Sequence, residues 1–434
     1  MPGLHLRSYV LLLVVGFLTA CTTINGGQAV DVASTNSGKV RALNDDGIMA
    51  FKGVRYGADT STTRFAAPAK PAPWTGIADA AEYGNSCPQT PIGSGGGLFL
   101  SWRPDPSPAL DEDCLFLNVW TPALRDGSKR PVMVWFHGGG FSSGDGSSTA
   151  YIGTRLAKRG DVVVVTVNHR LNVFGYTALN HYPGFEDSAV AGVLDMVQAL
   201  EWVRDNIEEF GGDPDNVMIF GESGGGAKVS TLMATPKAKG LFHRAAVQSG
   251  ALLEFPPQER SQAAADKLLS NLDLDADSID KIRTMPVEEI QAAMKGTGAG
   301  AAPSLDGRTL IHHPFYPQAA PGGIDIPLML GTNRTENSIF AGSVAPALFD
   351  LTWEGLVFAL KRTYPNEDVK AIIKGYREID PQLDPSDVYF EATTDARWLS
   401  GHVVQAERKV MQGGAPAYLY LFNWDTPVDG GKWR

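Results

Sequence analysis

Cysteine is scarce: the 434 residues hold three, Cys21, Cys87 and Cys114. Positive charge is short too, with 37 Lys and Arg against 48 Asp and Glu and a net charge of −11. No basic cluster stands out, which argues against nucleic acid as a partner, since a phosphate backbone needs a basic face. Metal ligands are equally sparse. His312 and His313 stand together ahead of Pro314, without Cys, Asp or a third histidine at ligand spacing, and read as a loop. No Gly-x-x-x-x-Gly-Lys phosphate loop occurs, and no metal or other cofactor is expected. Repeats and low-complexity tracts are absent.

Long apolar runs are missing as well. The strongest, YVLLLVVGFLTAC, follows Arg7 and ends at Cys21. It is too short to cross a bilayer comfortably and fits the apolar region of a signal peptide. Leu18-Thr19-Ala20-Cys21 is similar to the lipobox of bacterial lipoproteins, which implies cleavage after residue 20 and a lipid on the Cys21 sulfur. Several acyl chains anchor stably where one does not. The alternative is an ordinary secretory leader. The small, polar run after Cys21 reads as a flexible tether over residues 21–37, with one domain from 38 to 434. The protein is therefore expected to be exported and held at a membrane, facing the periplasm or the cell exterior. With Cys21 lipidated, Cys87 and Cys114 remain as one possible pair. Two free thiols in a cytosolic enzyme would conflict with the leader.

What is abundant points to an ordinary globular core: 43% of residues are hydrophobic and 20% charged. Strand-like runs recur at Cys114–Trp120, Pro131–Phe136, Asp161–Val167, Val217–Phe220, Arg244–Gln248, Ile326–Gly331 and Ala417–Trp424. Helical periodicity falls between several of them, most clearly over Asp187–Glu209. Alternation of this kind predicts an α/β fold, a mostly parallel sheet flanked by helices with its active residues at the carboxyl edge. Pro257–Lys295 and Thr352–Glu378 read as helical excursions above the sheet. Gly93–Trp102 (GSGGGLFLSW) suits a lid over a pocket or a plain surface loop.

One short stretch carries the chemistry. Val217–Phe220 reads as a buried strand that runs into Gly221-Glu222-Ser223-Gly224-Gly225, and Ala227–Thr235 can continue as a helix. A serine becomes a useful nucleophile when a sharp, strained turn presents it, and that turn tolerates little but glycine two residues to either side. Ser142 fits the same Gly-x-Ser-x-Gly template but lacks the strand and the helix. Attack on a carbonyl creates an oxyanion that needs preorganised N–H donors. His137–Phe141 (HGGGF), directly after Pro131–Phe136, can supply them.

FGGDPDNVMIFGESGG at Phe210–Gly225 and EDCLFLNVWTP at Glu112–Pro122 resemble the two signature stretches of the type B carboxylesterases, α/β-hydrolases that include the cholinesterases and their non-catalytic adhesion relatives. FKGVRYG at Phe51, VNHRLNVFGY at Val167, FHRAAVQSGA at Phe242 and GTNRTENSIF at Gly331 extend the resemblance from about Gly38 to the last residue. It implies a serine carboxylic ester hydrolase that works through an acyl-enzyme on a small ester. Ser223 would be the nucleophile, Gly139, Gly140 and Gly224 the oxyanion donors, and Glu336 the triad acid. It also supports pairing of Cys87 with Cys114. Glu222 could bias the pocket towards cationic groups. The base should follow the acid in the chain. His402 alone does so, yet it lies in a helix-like stretch ahead of Ala417–Trp424 and reads as a packing or surface histidine. The base is therefore expected beyond Arg434, which leaves a non-catalytic binding homologue on the same fold as the competing reading. Oligomeric state and ester preference leave no mark in the sequence.

Overall fold

A nine-stranded mixed sheet dominates the computed structural model, which describes residues 31–90, 102–431 and 433. The expected leader, the lipidation site Cys21, most of the tether and residues 93–101 of the expected lid lie outside the described residues. In chain order the strands are β1 (Val32–Ser34), β2 (Lys39–Arg41), β3 (Leu43–Asp45), β4 (Ile48–Arg55), β5 (Ile77–Asp79) and β6 (Phe116–Thr121). They continue with β7 (Arg130–Phe136), β8 (Val163–Val167), β9 (Gly212–Glu222), β10 (Arg244–Gln248), β11 (Leu328–Asn333) and β12 (Ala417–Phe422).

The large sheet runs β12-β11-β10-β9-β7-β8-β6-β4-β3, and β1, β2 and β5 form a small separate one. Six neighbouring strands, from β12 to β8, pair in parallel. The joins β8–β6, β6–β4 and β4–β3 are antiparallel. Parallel strands need crossover connections, and helices supply them, so the inner strands are covered on both faces. β8 shows this in composition: its VVVTV is buried at every position. Val134, Val165 and Ile219 share one apolar cluster with Leu200 and Val203 of the helix Ala191–Asn206.

The helical excursions have cores of their own. Leu268 and Leu269 of the helix Gln258–Asn271 pack with Ile290 of the helix Val287–Ala293. Leu356, Val369 and Phe390 join the helices Trp353–Thr363, Val369–Ile379 and Pro385–Thr394.

Two expectations need correction. Residues 32–34 belong to no flexible tether: they form β1, with Val32 and Ala33 buried. The backbone N–H groups of Ser34 and Asn36 donate to Glu209 and Asn206, so one compact unit starts at Asp31. The strand at Val217–Phe220 is also longer than its apolar run. β9 starts at Gly212, which stands opposite Arg130, and after a register shift the ladder resumes with Val217 opposite Val132.

Candidate active site

β9 ends at Glu222, and the helix Gly224–Met233 begins two residues later, so Ser223 occupies the whole turn. Its backbone sits at φ 55°, ψ −123°, a conformation that costs a non-glycine residue about 1–3 kcal/mol and persists only when the surroundings enforce it. They do. The Ser223 N–H donates to the Gln248 carbonyl at 2.8 Å. A Cβ on Gly225 would lie 2.0 Å from the Phe136 carbonyl oxygen, and one on Gly221 2.5 Å from the Gly225 backbone. Glycine at these two positions is a steric requirement of the bend.

The loop after β7 lies directly against this turn. Gly139 and Gly140 have φ of 86° and 62°, which only glycine adopts freely. A Cβ on Gly224 would meet the Gly140 amide nitrogen at 2.3 Å, and one on Gly138 would lie 3.6 Å from the Ser223 Cβ. The backbones of Gly139, Gly140 and Gly224 are thus gathered beside the serine. Ser142, the second template match, lies in a turn with its N–H on the Gly139 carbonyl and has no strand behind it.

Glu336 follows β11 and is 6% exposed. One carboxylate oxygen accepts from the Asn333 N–H at 2.8 Å and from the Ser249 hydroxyl. The register Glu222↔Gln248↔Gly331 puts the ends of β9, β10 and β11 level with one another. Ser223, Ser249 and Glu336 therefore emerge along the same carboxyl edge. Two inter-strand spacings, about 10 Å, separate the backbones of β9 and β11, which leaves room for a side chain to bridge serine and carboxylate.

No histidine among the described residues fills that gap. His402 lies in the helix Ser400–Met411, with Nδ1 on the Trp398 carbonyl at 2.8 Å. His137 is buried and stacks on His169 with ring centroids 4.9 Å apart. His243 and His313 accept backbone N–H groups at Val217 and Phe255, and His181 faces Asp266.

A cavity of about 240 Å³ opens over the serine, lined by Ser223, Glu222, Gly138 and Gly139 together with Trp102, Tyr151 and Phe340. Burial pushes the Glu222 carboxyl up to about 7, helped by the like charge of Glu336 and opposed by Lys228. Burial likewise pulls Lys228 down to about 7, with Glu222 resisting. Lys228 and Ser249 carried no expectation in the sequence. Ser249 lies in the FHRAAVQSGA stretch and could have been flagged there, but its partner is 87 residues away.

A strand, a strained serine turn and a helix at the carboxyl edge of a largely parallel sheet define the class of the α/β-hydrolases. Within that class the chain belongs to the carboxylesterase family, whose profile matches residues 29–430. It is 37% identical over 320 residues to para-nitrobenzyl esterase of Bacillus subtilis, covering 71% of this chain and 63% of that protein. It is 36% identical over 318 residues to phenmedipham hydrolase of Pseudarthrobacter oxydans, covering 71% and 62%. The chain thus matches less than two thirds of the length of either. Among solved structures it is similar to an esterase from Clostridium hathewayi that can hydrolyse aliphatic aromatic polyesters, with TM-score 0.77 and 35% identity over 92% of this chain and 80% of that one.

Proposed function

We propose that this chain is that of a serine carboxylic ester hydrolase acting on uncharged esters through a covalent acyl-enzyme. The observation that carries the reading is the Ser223 turn, held at positive φ against the Gly139–Gly140 loop, with a buried Glu336 two strands away on the same edge. In this reading the Ser223 Oγ attacks the ester carbonyl carbon and loses its proton to a histidine. The N–H groups of Gly139, Gly140 and Gly224 stabilise the oxyanion, the alcohol leaves with the proton, and water then cleaves the acyl-serine by the same route. Glu336 orients the histidine.

Export follows as part of the proposal. Residues 1–20 would be a lipoprotein-type signal peptide and Cys21 the lipidated residue, with the tether confined to residues 21–30. The sulfurs of Cys87 and Cys114 lie at bonding distance, which supports a disulfide in an oxidising compartment such as the periplasm.

A second reading, a binding protein without turnover, is favoured by one observation: no described histidine contacts Ser223 or Glu336. Hydrolysis of 4-nitrophenyl acetate separates the two. Loss of one triad member typically costs on the order of a million-fold in rate, so Ser223→Ala should run at or near background. The unaltered protein should turn over at least a thousand-fold faster. Equal background rates from both would favour the binding protein.

A further inference from the structure

The helix that follows Ser223 carries a lysine at an unusual place. Lys228 is 0% exposed, and an ammonium group taken fully out of water is destabilising unless what it touches compensates. Its hydrogen bond and its ring contact both lead to one loop. Nζ donates to the His137 carbonyl at 2.7 Å and sits over the Phe141 ring, 5.9 Å from the centroid, within cation–π range.

His137 and Phe141 are the first and last residues of the His-Gly-Gly-Gly-Phe segment, and both are buried. Between them Gly139 and Gly140 are exposed and left-handed. Consecutive glycines lose more conformational freedom on ordering than any other residues, so a loop of this kind holds its amides still only if its ends are fixed. Other ties fix the loop to its surroundings: the Asn172 N–H donates to the Phe141 carbonyl, and the Gly144 N–H to Gln89. Lys228 differs from these because it starts on the helix that presents the serine. It links the nucleophile to the oxyanion donors, the two parts whose mutual placement must hold to about 0.5 Å for charge stabilisation to work.

We propose that Lys228 is a positioning residue whose ammonium clamps both ends of the His137–Phe141 loop onto the helix that carries Ser223. The proposal rests on the esterase reading for its effect on rate, but not for its effect on the loop.

Lys228→Met keeps the length and apolar bulk of the side chain and removes the donor and the charge, while Lys228→Gln removes the charge and keeps a donor. Amide hydrogen exchange is followed over residues 138–143 and over the remote helix Ala191–Asn206. In Lys228→Met, exchange in the loop should rise at least tenfold with the remote helix unchanged, and Lys228→Gln should fall between it and wild type. In the hydrolytically competent chain, kcat for a small aryl ester should drop at least tenfold in Lys228→Met while KM stays within about twofold. Unchanged loop exchange, or a rise shared equally with Ala191–Asn206, would overturn the clamp, and Lys228→Gln decides it if Lys228→Met does not fold. A wild-type protein without ester turnover would instead refute the esterase reading, and loop exchange would still decide the role of Lys228.

Discussion

Glu222 is the residue whose environment makes the clearest demand. It precedes the serine, lies beside a second carboxylate at Glu336, and has its carboxyl pushed up to about 7, chiefly by burial. A folded-state value above the unfolded one means that the folded protein binds more protons between roughly pH 4.5 and 7. Stability contributed by this group is therefore present at low pH and lost as pH rises through that window. In Glu222→Gln the loss should be absent: urea unfolding at pH 5 and 7.5 should show wild type losing ground to the variant as pH rises. A constant difference between the two proteins would contradict the buried, raised carboxyl. Lys228 has the opposite sign, its folded value lying below the unfolded one, so its contribution grows as pH rises above about 7. At this scale legibility was uneven. Ser223 could be read because its strand, glycines and helix are neighbours in the chain. Glu336 needed the family resemblance, and Lys228 could not be read at all, because its partner lies 91 residues away.

Elements were legible in proportion to their length and burial. The run Arg244–Gln248 has the same bounds in sequence and structure, and the expected helix at Asp187–Glu209 contains the observed Ala191–Asn206. β1, β2, β3 and β5 escaped notice because three residues give no period to detect. β4 escaped because its alternation breaks where the register shifts between Phe51 and Val54, around the left-handed Gly53. β12 is the element with an unusual surface. It pairs with β11 on one side, and Leu419 and Leu421, on the same face, are 47% and 48% exposed. An apolar strand whose second edge is unpaired among the described residues is a template for association. Residues 1–434 should self-associate at micromolar concentration, and Leu419→Lys with Leu421→Lys should shift sedimentation velocity profiles towards the monomer. A wild-type chain that stays monomeric would remove this element-scale argument.

For the whole molecule, the sheet places chemically capable residues from distant parts of the chain along one edge, and the strand register explains why they can act together. The alternation of strand and helix predicted the fold class, and the match of residues 29–430 to the carboxylesterase family agrees with it. The order of the small strands was not legible, because it depends on pairings between segments with little apolar content, such as the parallel pairing of Lys39–Arg41 with Ile77–Asp79. The central claim is that the Ser223 hydroxyl becomes the acylated group. Its most direct test is to react the protein with 4-nitrophenyl acetate, quench with acid, and map the acetyl group by peptide mass spectrometry. The account predicts one acetyl on the peptide that holds Ser223, absent in Ser223→Ala together with turnover. Acetylation elsewhere with Ser223 unmodified, or ester turnover untouched by Ser223→Ala, would contradict it.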